Sequence, residues 1–320
     1  MQQLILALFI AAASLVAGPA AAESGKPVHI IVAFSPGGPV DFVARVLSEQ
    51  LGKELGQTVI VENKPGANGA IGAEMVAKST PDGTTLWLTS VGAVAINPAL
   101  YEKLSYDPLR EFAPVSLVVN NVEVLVVNAA NPAKNAAEFI AATKLNKKPT
   151  SMASSGIGSI PHLALEQMAD ASGANVMHIP YKGAAPAITD VIGGHVTAFF
   201  GDVPGLMAHI KGGKLKPIGI AASKRHPLLP EVKTFAEMGI AGVDTDNWYA
   251  LFAAAKTPRA EIDRLNHAIR RVLTSTAARD KLIASGADPA PSTPEELTAL
   301  LVKDTAKWAR MIRDKKIQPE

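Results

Sequence analysis

The chain has 320 residues, of which 48% are apolar, and its 31 Lys and Arg nearly balance 29 Asp and Glu, for a formal net charge of +2. Near-neutral charge argues against nucleic acid as the main partner, and with no cysteine the chain has no disulfides, no thiolate metal site and no cysteine nucleophile. Such a length is long for a single core and predicts two domains.

Leu4 to Val16 is almost wholly apolar, and Ala20-Ala21-Ala22 offers a small-residue cleavage site before Glu23. That is the pattern of a secretory signal peptide, although Met1-Gln2-Gln3 carries no Lys or Arg. The run is broken by Pro19 and falls short of the ~20 residues that span a bilayer, so a leader over residues 1–22, cleaved after Ala22, is expected rather than an anchor. No later stretch is apolar enough to span a membrane, which predicts a soluble, exported mature chain.

Val28 to Phe34 reads as a buried strand. Val40 to Leu55 reads as a helix, with Phe42, Val43, Val46, Leu47, Leu51 and Leu55 on one face and Gly56 ending it. Strands follow at Thr58 to Val61, Thr84 to Thr89, Val115 to Val119 and Val122 to Val127, with a helix at Gly69 to Lys78. Helices at Ala133 to Lys144, Ile160 to Ala171, Ala184 to Ile192 and Pro204 to Lys211 then alternate with strands at Thr150 to Ala153, Val176 to Ile179, Val196 to Phe200 and Pro217 to Ala221. This alternation predicts mostly parallel sheets flanked by helices, an α/β fold. After one more strand, Trp248 to Ala254, only helices are expected: Arg259 to Thr274, Ala277 to Ser285 and Pro294 to Asp314. A helical tail without strands of its own should pack on an existing domain. The chain is therefore expected to cross to a second domain near Asn121 to Asn128 and to return near Ser223 to Asn247, giving a discontinuous lobe 1 (23–124 and 245–320) and a continuous lobe 2 (125–244).

Ligands of open parallel sheets bind beyond the carboxyl ends of the strands, where helix N-termini also point. Four strand-to-helix turns stand out. Ser35-Pro36-Gly37-Gly38-Pro39-Val40-Asp41 follows a strand and opens a helix; its free amides can donate to an anion, or it is simply a tight turn with a helix-stabilising Asp41. Pro65-Gly66-Ala67-Asn68-Gly69-Ala70-Ile71-Gly72 lacks the Gly-Lys-Ser/Thr ending of a phosphate-binding loop. Ser154-Ser155-Gly156-Ile157-Gly158-Ser159-Ile160-Pro161-His162 brings hydroxyls and free amides that can hold a carboxylate, with Ser159 also serving as a helix cap. It is neither a dinucleotide fingerprint nor a Gly-x-Ser-x-Gly elbow. In Ile179-Pro180-Tyr181-Lys182-Gly183, Tyr181 can wall a pocket and Lys182 can neutralise an anion or stand exposed. Asp202, in the turn Gly201-Asp202-Val203, can orient a ligand amine, support another group or cap a helix.

His162 and Glu166 lie four apart on one helix face, but no third ligand sits at useful spacing, so no metal is expected. No cofactor is implied. No nucleophile, base and orienter can be assembled from the chain order, so no catalytic residue is assigned. The serines, His162 and Asp202 still leave a secreted hydrolase as an alternative.

Taken in order, these loops resemble the Bug (Bordetella uptake gene) family, periplasmic solute-binding proteins of tripartite tricarboxylate transporters. The matching segments are Phe34 to Asp41, Val61-Glu62-Asn63-Lys64-Pro65-Gly66-Ala67-Asn68-Gly69, Asp82-Gly83-Thr84-Thr85-Leu86, Asn97-Pro98-Ala99-Leu100-Tyr101 and Tyr106-Asp107-Pro108. They continue with Ser155-Gly156-Ile157-Gly158-Ser159, His178 to Gly183, and Trp248 before Thr257-Pro258. The resemblance implies a two-lobed type II periplasmic-binding-protein (Venus flytrap) fold with doubly wound sheets, and a binding protein rather than an enzyme. It implies that a small carboxylate (a di- or tricarboxylate, an acidic amino acid or an aromatic acid) is held by amides and hydroxyls at the loop tips. Carried onto this chain, one lobe supplies Ser35, Gly37, Gly38, Asp41, Ala67, Asn68 and Ser90, and the other Ser154, Ser155, Gly158, Ser159, His162 and Asp202. The implied partner is a membrane permease, or alternatively a membrane sensor. Two positions depart from the family pattern: Asn68 and Tyr249 stand where glycine is common, the first adding an amide near the pocket, the second reshaping the hinge side.

Overall fold

Short apolar runs form the inner strands, buried on both faces, while the two edge strands Val59–Asn63 and Val176–Pro180 stay partly exposed. The computed structural model describes residues 25–315, 317 and 318; the expected leader lies outside the described residues. Strands β1 (Val28–Val32), β2 (Val59–Asn63) and β3 (Thr85–Ser90) are parallel neighbours, alternating with α1 (Pro39–Leu55) and α2 (Ala70–Ala77). In α1, Val40, Val43, Ala44, Val46, Leu47 and Leu51 form the buried stripe, and Gly56 ends the helix at φ 62°. A buried turn over Gly92–Ile96 runs into the short α3 (Asn97–Leu100), neither of which the periodicity foretold.

The two strands expected near residue 120 are one, β4 (Phe112–Asn128). Asn120 and Asn121, poor strand formers that read as a break, stay extended because they pair with Trp248 and Asn247 of β9 (Asp246–Ala254). Pro114, which has no N–H to give, sits at a register shift of this ladder. β4 changes partner along its length. From Phe112 to Val122 it pairs with β9, and from Glu123 to Asn128 with β7 (Ala198–Asp202) and β8 (Leu215–Ile220). β5 (Thr150–Ser154) and β6 (Val176–Pro180) complete the second half, in parallel with β7. Its helices are α4 (Ala136–Leu145), α5 (Ile160–Ser172), α6 (Ala184–Gly193) and α7 (Val203–Lys211).

The resulting strand order is β2-β1-β3-β9-β4-β7-β5-β6, two doubly wound halves fused through β4 and flanked by helices: the two-lobed α/β binding-protein fold. The β1–β3 half has one core around Trp87, Tyr249, Phe252 and Trp308. The other half has two apolar clusters split by strand alternation, Leu125 and Val127 in one and Val124 and Val126 in the other. The tail forms α8 (Arg259–Thr274), α9 (Thr276–Ser285) and α10 (Pro294–Lys315). It is not wholly helical: β10 (Asp288–Pro289) pairs with β4. Trp308 of α10 is fully buried in the first core, and Asp304 accepts the indole N–H of Trp248 at 2.7 Å, so the tail is locked onto β9. Among the described residues no helix is long and apolar enough to cross a membrane.

Candidate functional site

The carboxyl ends of β1, β5, β6 and β7 all deliver chain into one cleft between the lobes. The starts of α1, α5, α6 and α7 converge on a narrow inner chamber of about 30 Å³. Gly38, Pro39 and Val40 come from α1, Ser159 to Pro161 from α5, Ala184 from α6, and Gly201 and Asp202 from the entry to α7. No side chain caps α1, α6 or α7, so these helix starts carry free N–H groups and the positive ends of their dipoles. Ser90 and Ser155 add hydroxyls; Phe34, Phe199 and Tyr249 wall the space. A roomier outer chamber of about 180 Å³ shares Phe34 and Ser155 with it and is lined by the Gly66 to Gly69 loop, Tyr101, Gly156, Ile157 and Pro180 to Lys182.

The residues singled out from sequence fall into two groups. Gly38, Ser90, Ser155, Ser159 and Asp202 line the inner chamber, and Ala67, Asn68 and Ser155 the outer one. Ser35, Gly37, Asp41, Ser154, Gly158 and His162 line neither; their polar groups brace the loops. Asp41 accepts from Gly37 N–H and Arg45 Nε, both at 2.9 Å, and from Asn63 Nδ2 at 3.0 Å. Burial pushes its carboxyl up, but the bonds from Arg45, Gly37 and Asn63 outweigh it and hold it below the ordinary range. Ser154 Oγ accepts from Gly156 N–H at 3.1 Å and meets His178 Nε2 at 2.6 Å. Gly158 N–H donates to His162 Nδ1 at 3.1 Å. His162 stacks on His178 with 3.9 Å between ring centres and stands 3.6 Å from Glu166. Burial, with the neighbouring His162 charge, pushes His178 down to about 4. Ser159 caps α5 through His162 N–H at 3.4 Å and donates to Gly156 O at 2.6 Å. Among the described residues no group of three His, Cys, Asp or Glu could hold a metal.

Asn68 lines the outer chamber, but its amide turns away to Asn97. Its Nδ2 donates to Asn97 Oδ1 at 2.8 Å, and Asn97 Nδ2 donates to Asn68 O at 3.1 Å. Asp202 occupies the cap position of α7 without capping it. Its carboxylate accepts from Asn247 Nδ2 at 2.7 Å and from the Tyr249 hydroxyl; Glu123, its partner across β4 and β7, accepts from the same Asn247 Nδ2 at 3.3 Å. Burial raises Asp202 to about 6; burial and then the Asp202 charge push Glu123 well above the carboxylate range, so Glu123 holds a proton. Glu123 and Asn247 went unread in the sequence because nothing local marks a Glu in an apolar strand as facing an Asp 79 positions on. The aromatic walls Phe34 and Phe199 read only as core.

Loop tips from both lobes also touch. Ser35 Oγ donates to Lys182 O across the cleft, and a Cβ on Gly158 would stand 3.4 Å from Asn68 Nδ2.

Two lobes joined through β4, with helix starts of both aimed into one cleft, define a solute-binding receptor. The chain belongs to the tripartite tricarboxylate transporter family receptors, whose family model matches residues 43–317. It is 35% identical over 313 residues to protein BugT of Bordetella pertussis, covering 97% of this chain and 96% of BugT. The solved structure of the periplasmic binding protein BugD superposes with a TM-score of 0.88 at 33% identity, over 92% of this chain and 99% of BugD. That of an R. palustris protein with adipate does so with 0.89 at 28% identity, over 93% and 99%. The family is one of receptors, not enzymes.

Proposed function

We propose that this chain captures a small organic carboxylate between its lobes and delivers it to the permease of a tripartite tricarboxylate-type transporter. The observation that carries this reading is the convergence of four helix starts, three of them uncapped by side chains, on a chamber whose lining contains no Lys or Arg. Oriented amides suit an anion that must be released again, since they offer a favourable field without a full counter-charge. The adipate in the R. palustris relative fits the same ligand class. In this reading the ligand carboxylate meets Gly38, Ser90, Ser155 and Ser159, while Ser35, Gly37, Asp41, Ser154, Gly158 and His162 hold the tips in shape. Lobe 1 comprises residues 23–124 and 245–320 and lobe 2 residues 125–244, with β4 and β9 near Asn121 and Asn247 as the hinge. The mature protein works in the periplasm after removal of residues 1–22.

Closure is a population shift driven by contacts to both lobes. A thermal-shift screen of mono-, di- and tricarboxylates tests the capture step: an acid that binds only the native state raises the melting temperature, by an amount that grows with the logarithm of its concentration over its Kd. If no acid shifts the transition, the reading is wrong.

A further inference from the structure

Asp202 is the sole carboxylate among the residues lining the two chambers, and Lys182 the sole cation. A ligand carrying an ammonium group beside its carboxylate must strip water from that ammonium on entering the closed cleft, and needs an anionic partner there to offset the loss. Asp202 is the one candidate. Its Oδ2 already accepts the Tyr249 hydroxyl, its Oδ1 accepts Asn247 Nδ2, and Glu123 stands opposite it across the β4–β7 ladder. Tyr249 is fully buried, and its ring lines the chamber next to the carboxylate it binds.

Resting on the capture reading above, we propose that Tyr249 is a specificity-determining residue: by occupying Asp202 it restricts the cleft to acids that lack an amino group, so that the ligand is a simple carboxylate and not an amino acid. Phe199, Pro39 and Val40 add apolar wall to the chamber, which suits a hydrocarbon body. Lys182, at the outer rim, favours a second anionic group over a cationic one.

The test is calorimetry with matched pairs that differ only in the 2-amino group: succinate and aspartate, glutarate and glutamate, 3-phenylpropanoate and phenylalanine. In the wild type, the acid of whichever pair binds should bind at least tenfold more tightly than its amino counterpart. Tyr249→Phe loses one oxygen atom and keeps the ring, releasing one acceptor site of Asp202; it should shrink that ratio at least fivefold. Tyr249→Ala opens the path to Asp202 and should shrink it further, with circular dichroism confirming the fold. An amino acid that equals or exceeds its deamino partner on the wild type overturns the inference while leaving capture intact. So does a ratio that neither folded variant moves. Absence of binding by every acid and amino acid removes the capture reading itself and the inference with it.

Discussion

Gly205, in the first turn of α7, lies so close to Pro39, the first residue of α1, that a methyl group on Gly205 would stand 2.9 Å from Pro39 Cδ and 3.1 Å from its Cβ. The two helices belong to different lobes, and both open onto the inner chamber. The proline ring is stiff and cannot swing aside as a long side chain would, so the bare Cα of Gly205 is what lets the lobes meet.

Gly205→Ala should therefore separate two properties that usually move together. Alanine favours helix over glycine by roughly 0.8–1 kcal/mol, so the ligand-free protein should lose no stability with its lobes apart. Closure should suffer: carboxylate affinity should fall at least tenfold, and small-angle scattering should show a larger radius of gyration that ligand fails to reduce. Unchanged affinity would mean that α1 and α7 do not form part of the closing contact.

Ser159 has two tasks, and one substitution should report on both. Its Oγ caps α5 and tethers Gly156 O. Loss of an N-cap costs about 1 kcal/mol, a modest fall in melting temperature for a chain of this size. Loss of a hydrogen bond to a charged ligand costs about 1.5–3 kcal/mol, or roughly ten- to a hundredfold in affinity. Ser159→Ala should thus stay folded while calorimetry shows the larger effect on binding. A variant whose affinity matches the wild type would leave Ser159 as a cap alone.

The Glu123 and Asp202 pair predicts a pH signature. Burial raises Asp202 from 3.8 to about 6, and burial with the Asp202 charge raises Glu123 well above 4.5. A group that holds its proton more tightly folded than unfolded lowers stability as pH climbs from the unfolded value to the folded one. The pair's contribution is therefore fully present only below the unfolded value of 3.8 and is lost as pH rises through about 6, and further as Glu123 ionises. Glu123→Gln removes one of the two protons and the repulsion between the carboxylates. The difference in urea midpoint, variant minus wild type, should grow between pH 4 and 7 and favour the variant at neutral pH. Taking the difference cancels His178, whose depressed value of about 4 drives stability the other way in both proteins. Parallel pH profiles would show that the two carboxyls titrate independently of the fold.

The sequence by itself determined the alternation of strands and helices, because burial on both faces and a 3.6-residue stripe are local patterns: α1, α8 and α10 could be read almost to their ends. It also marked the turn at Gly38 and Pro39 as a helix start whose amides can face an anion, but not that Gly183 and Asp202 leave their helices uncapped. Only the tertiary structure decided that Asn120 and Asn121 continue a strand, that Asn68 braces Asn97, that Gly205 meets Pro39, and that Tyr249 and Asn247 close around Asp202. Each of these is a pairing between residues from 29 to more than 160 positions apart. Such contacts leave no periodicity in the chain; they exist because the fold brings distant segments together, as β4 does in running from the pairing with β9 to the pairing with β7 and so setting Asn247 and Tyr249 beside Asp202.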